Sequence, residues 1–126
     1  MKTLITLLFL FLTSNVIGEE KVYYCKEDAS TGFQSSENYK KTDFLEEKFT
    51  AKIDFENLFF SSPDIFMTHT ICTYTILHEH LMQCFTNYGA IITINRINLK
   101  FASANVLGIG TDGDSLLLGH GSCSVF

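Results

Sequence analysis

The chain lacks tryptophan, has a single proline (Pro63), and is short of positive charge, with 9 lysines and arginines against 14 acids. Its lysines form no stripe. An acidic chain without one is repelled by phosphate backbones, so nucleic acid is not an expected partner. No internal repeat or low-complexity tract interrupts the sequence, which leaves no linker and one compact unit. The sequence also has no phosphate-cradling glycine loop, no Gly-x-Ser-x-Gly elbow, no Cys-x-x-Cys pair and no His-Glu-x-x-His. Those absences remove the motif-based grounds for a nucleotide cofactor, a serine hydrolase, a four-cysteine zinc site or a helical metalloprotease centre. No cofactor is expected.

What is present begins with a leader. Met1 and Lys2 precede the apolar run Leu4–Leu12, and a polar Thr13-Ser14-Asn15 leads to Val16, Ile17 and Gly18 ahead of Glu19 and Glu20. This is the build of a secretory signal peptide spanning residues 1–18, too short for the roughly 20 apolar residues of a membrane helix. The expected mature domain is residues 19–126, exported to the periplasm or the cell exterior and without a membrane anchor after cleavage. It carries 8 basic side chains against 14 acidic ones, a formal charge of −6.

Four cysteines fall in that domain: Cys25, Cys72, Cys84 and Cys123. An even number in a small exported chain reads as disulfides, because the compartment is oxidising and the core is limited. Three connectivities are open, and spacing does not decide among them. The favoured one joins Cys72 to Cys84, stapling neighbouring strands, and Cys25 to Cys123, tying the two ends of the domain together.

Phe49, Ala51, Ile53 and Phe55 alternate with Thr50, Lys52 and Asp54, a period of two that predicts a strand with one apolar face. Ile97, Leu99 and Phe101 alternate in the same way. Tyr23 and Tyr24 before Cys25, Thr70–Ile76 and Ala90–Ile94 are further strand candidates, rich in β-branched and aromatic residues. Turn chemistry separates them at Asn57, Ser61-Ser62-Pro63, Asn87-Tyr88-Gly89, Asn95-Arg96 and Gly108–Gly113. Residues 26–45 are polar and aperiodic and read as a long loop, with a short helix around Asp43–Lys48 as the alternative. The expected fold is mainly β: a small antiparallel sandwich or an up-and-down barrel, stapled by disulfides.

Taken together, Tyr23-Tyr24-Cys25, Thr31-Gly32-Phe33, the Phe49–Phe55 strand, Ile94–Phe101 and the ending Gly119–Phe126 resemble a group of small exported proteins of marine planktonic bacteria. The resemblance spans nearly the whole mature chain. It implies export and the pairing of an early with a late cysteine, and it carries over neither a function nor a catalytic residue.

The sharpest chemical feature is His78-Glu79-His80. In an extended segment both imidazoles face one way, and His69 or His120 would complete a three-nitrogen zinc site with an open position, as a metal-dependent enzyme needs. Yet this segment lies midway between Cys72 and Cys84, where a hairpin closed by that pair has its tip. A solvated turn that picks up metal adventitiously is the plainer reading. Asp112-Gly113-Asp114 lacks the alternating oxygen ligands of a calcium loop and reads as a β-turn. Glu46 and Glu47 read as solvated surface rather than a glycosidase pair.

Aromatics are abundant: beyond the leader's Phe9 and Phe11, ten of the 12 phenylalanines and all 5 tyrosines remain. Most must fill the core. Phe59, Phe60 and Phe66 exceed what one strand face buries, because strand neighbours point opposite ways. One of Phe59 and Phe60 is therefore expected on a surface or a cavity wall, offered to a partner protein or an apolar small molecule. A non-catalytic binding module is the leading functional reading. A metal-dependent enzyme using His78 and His80, and an inhibitor of a secreted enzyme, are the alternatives.

Overall fold

Strand alternation and the order of hairpins together generate a nearly closed sheet. The computed structural model describes residues 21–65, 67, 69–106 and 115–125. The expected leader, Phe66 and Asp112–Asp114 lie outside the described residues. Nine strands follow in order: β1 (Lys21–Gln34), β2 (Lys40–Asp43), β3 (Lys48–Asp54), β4 (Phe59–Ser61), β5 (Ile71–Tyr74), β6 (Leu81–Phe85), β7 (Ala90–Asn95), β8 (Lys100–Asn105) and β9 (Leu116–Val125). The sheet order is β4-β3-β1-β9-β8-β7-β6-β5, with β2 also beside β1. Every pair is antiparallel.

Strands β5 to β9 form a meander, β9 pairs with β1, and β1 hands on to β3 and β4. With β2 set aside as a branch on β1, each strand around the ring neighbours the next in sequence, the arrangement of an up-and-down barrel. The ring stays unladdered at one seam, between β4 and β5. There Thr70 Oγ1 donates to the Phe60 carbonyl at 2.5 Å, and the Tyr74 hydroxyl donates to the Phe55 carbonyl.

One edge of β1 serves two partners. β3 pairs along Lys21–Lys26 and β2 along Thr31–Gln34. Between them the Glu27 N–H donates to the Glu47 carbonyl and the Phe44 N–H to the Ser30 carbonyl, both at 2.9 Å. On its other edge β1 follows β9, with a bulge between Glu27 and Ala29. The extra residue changes which side chains face inward. Tyr23, Cys25 and Glu27 are buried before it, whereas Ser30 and Gly32 are turned in after it.

The core is one cluster that includes Tyr23, Phe49, Ile53, Phe60, Met82, Ile92, Ile94 and Phe101. Both expected disulfides form inside it, Cys25–Cys123 across β1 and β9 and Cys72–Cys84 across β5 and β6, each with Cα atoms 4.0 Å apart. In both, the cysteines are directly opposite in the ladder, the close spacing of a non-hydrogen-bonded antiparallel pair.

Two expectations are corrected. Residues 26–45 are neither loop nor helix: β1 runs on to Gln34, a 3-10 turn at Ser35–Glu37 follows, and β2 returns. Their polar side chains conceal a strand because β1 is paired on both edges while its inward positions beyond the bulge are small. The alternation at Ile97–Phe101 also misleads, since β8 starts only at Lys100. Asn95 Oδ1 accepts the N–H groups of Ile97 (2.8 Å) and Asn98 (3.3 Å), and Asn98 Oδ1 accepts that of Lys100 (3.0 Å). These side chains close a turn that leaves Ile97 exposed and Leu99 at φ 58°.

The outward positions of β1, β3, β8 and β9 carry Lys26, Lys48, Lys52, Lys100, Ser122 and Ser124. The same outer face also exposes Val22, Tyr24, Phe33 and Leu118. No helix among the described residues is long and apolar enough to cross a membrane.

Candidate binding cavity

The two ends of the barrel are filled differently. Towards the β3–β4 and β5–β6 turns the inward side chains are large, among them Ile53, Met82 and Ile94. Towards the other end they shrink to Ser30 and Gly32 on β1, Ala90 on β7, Ser103 on β8 and Gly119 on β9. Residues this small cannot span the interior of an eight-stranded ring, which side chains otherwise just fill. A cavity of about 310 Å³ remains, walled by Phe44, Phe49, Ile65, Met67 and Leu117.

At its inner wall stands Glu27, an acid only 8 % exposed. Its Oε2 accepts the Glu47 N–H at 3.3 Å. A Cβ built on Gly119 would lie 3.1 Å from Glu27 Oε1 and 3.2 Å from Ser103 Oγ. The carboxylate and the hydroxyl therefore converge above the same glycine, and any larger residue there would displace them. Burial pushes the Glu27 carboxyl above its ordinary range. The Glu47 N–H and a Ser30 side-chain hydrogen bond oppose that rise, while the negative charges of Glu47 and Glu46 add to it.

Asn105 lies two residues beyond Ser103 on the inward face of β8 and also lines the cavity. Its Oδ1 is buried without a hydrogen-bond partner among the described residues. An orphaned buried acceptor costs roughly 1–3 kcal/mol, a cost that a donor brought by a ligand removes. Asp64, also in the lining, is held below the usual carboxylate range by the Thr50 N–H (2.7 Å) and Thr50 Oγ1 (2.9 Å). Among the described residues, no lysine, arginine or histidine belongs to the lining. The cavity thus offers apolar walls, hydrogen-bond acceptors and negative charge.

The residues singled out from sequence take other places. Phe60 is fully buried in the core, while Phe59 is 36 % exposed on the outer wall. Phe59 lines a more open groove of about 570 Å³ at the seam with His69, Ile71 and Phe85. His78 and His80 sit at the β5–β6 tip with ring centroids 5.9 Å apart. His69 and His120 do not join them: the first is at the seam, and the second is exposed on β9 opposite Ala102 and Ala29. No group of three potential metal ligands forms among the described residues. Glu46 and Glu47 are exposed, and Glu47 contributes its backbone N–H to Glu27.

Sequence reasoning missed Glu27, Ser103 and Asn105. Glu27 had a signal, since it follows Tyr23 and Cys25 at a spacing of two and so shares their inward face. No protein-family model, curated protein or solved structure matches the chain.

Proposed function

We propose that this chain is a non-catalytic exported binding module that holds a small, mainly apolar ligand at one end of its barrel. The observation that carries this reading is the cavity of about 310 Å³, whose volume is at the lower end of the range typical of small-molecule sites and whose walls are mainly apolar. Its polar groups are few and convergent, which suits orientation of a ligand. Two disulfides and no free cysteine among the described residues support an oxidising compartment and hence export.

The test is titration of the full disulfide-bonded protein with Nile red, an uncharged apolar dye. The expected result is saturable one-to-one binding that Gly119→Leu weakens at least tenfold while far-UV circular dichroism stays unchanged. Gly119 has no positive φ, so leucine is tolerated by the backbone and acts by occupying space. No saturable binding to the natural chain overturns the reading.

The seam favours a second reading, an extended segment of a secreted protein added to the unpaired edge of β5. Phe59, Phe85 and Ile71, the last 67 % exposed, form an apolar strip along that edge. An Ile71→Lys variant should then lose capture of the partner while retaining dye binding in the cavity.

A further inference from the structure

Resting on the reading of the cavity as a ligand site, we infer that its ligand is a protonated amine on a small apolar body, the ammonium seated against Glu27, Ser103 and Asn105. Three observations lead there. Glu27 Oε1 and Ser103 Oγ both pack against Gly119, 3.1 and 3.2 Å from where its Cβ would stand, so the acid and the hydroxyl stand side by side over that glycine on the inner wall. Asn105 Oδ1 is a buried acceptor with no donor among the described residues. Among the described residues the lining contains no cationic side chain, so none of them pairs the buried carboxylate, and a buried charge is costly until it is paired.

An ammonium group supplies both missing partners at once. It brings several N–H donors for Glu27, Ser103 and Asn105, and a positive charge for the carboxylate. Phe44 and Phe49 in the wall add aromatic faces that attract cations. An anionic ligand would meet Glu27, Glu47 and Asp64 without a compensating group. A neutral alcohol would satisfy Asn105 and leave the charge alone. A bare calcium or magnesium ion takes six or more oxygen ligands, and the inner wall offers a single carboxylate beside the neutral groups of Ser30, Ser103 and Asn105. The volume is about that of ten water molecules in the liquid, which sets the ligand near the size of a single aromatic ring with a short amine arm.

The experiment is calorimetric titration of the full disulfide-bonded protein with 2-phenylethylamine, 2-phenylethanol and phenylacetate. The amine should bind at least tenfold tighter than the alcohol, with phenylacetate weakest. In Glu27→Gln the amine should fall to parity with the alcohol. Asn105→Leu, which removes the orphaned acceptor and keeps the carboxylate, should weaken the amine severalfold and keeps the inference falsifiable if Glu27→Gln does not fold. Nile red binding with no preference for the amine, or a preference that survives both substitutions, overturns the amine inference and leaves the cavity reading standing. Absence of Nile red binding overturns both.

Discussion

Glu27 occupies an inward position where Tyr23 and Cys25 would lead one to expect another large or apolar residue, and that placement gives it a signature in stability. Burial raises its folded carboxyl above the ordinary value of 4.5, so the folded state holds this proton more tightly than the unfolded chain. Its contribution to stability is therefore fully present below about pH 4.5 and is lost as pH rises through the raised folded value. Asp54 and Asp64 run the opposite way. Asn57 holds the first and Thr50 the second below the ordinary 3.8, so their contributions are present above that pH and are lost as it falls through the lowered values. Glu27→Gln removes only the first dependence. Urea denaturation should show the variant gaining on the natural chain as pH rises from 4 to 8, with the difference levelling off above the folded Glu27 value. A difference constant with pH, or one that shrinks, would show that burial does not raise the folded Glu27 value.

Strand β1 depends on a close approach to β9. At the bulge a Cβ on Gly121 would meet the Lys26 carbonyl oxygen at 2.0 Å and Glu27 Cα at 2.8 Å. Both are backbone atoms, so the strands themselves would have to move. Gly121→Ala is expected to cost about 1–3 kcal/mol, as overpacking does, and to weaken cavity binding because the bulge aims Glu27 inward. Chemical denaturation and Nile red titration check the two effects, and a variant as stable as the natural chain would show that β1 and β9 are farther apart. The same element shows what the sequence could reveal. β3 was legible because Phe49, Ala51 and Ile53 are inward on one unbroken period. β1 was legible only as far as Cys25, because a single extra residue shifts the period and Ser30 and Gly32 then stand where apolar residues would mark a strand. Ile97 carried a false signal, since its alternation with Leu99 belongs to a turn tied by Asn95. The cavity is a deficit of side-chain volume at one barrel end, and that is set by which strands become neighbours. No local pattern encodes it.

At the scale of the whole molecule the two disulfides do unequal work. Cys72–Cys84 closes a loop with a separation of 12 residues within one hairpin, whereas Cys25–Cys123 spans 98 residues and joins the strands that close the ring. Chain-entropy arguments assign about 3 kcal/mol to the first and nearly 5 to the second. The difference extends to the cavity. Cys25 is two residues from Glu27 on the same inward face, and its partner Cys123 is two residues from Gly121, so the long-range bridge fastens the pair of strands that bears the inner wall. Cys72 and Cys84 lie across the ring, beside the seam. Replacing Cys72 and Cys84 by alanine should lower the urea midpoint and leave Nile red affinity within threefold. Replacing Cys25 and Cys123 should lower the midpoint further and weaken the dye as well, because β1 and β9 lose the link that holds Glu27 above Gly119. Equal losses from both pairs, or a dye affinity that survives removal of Cys25–Cys123, would mean that the meander alone holds the cavity open.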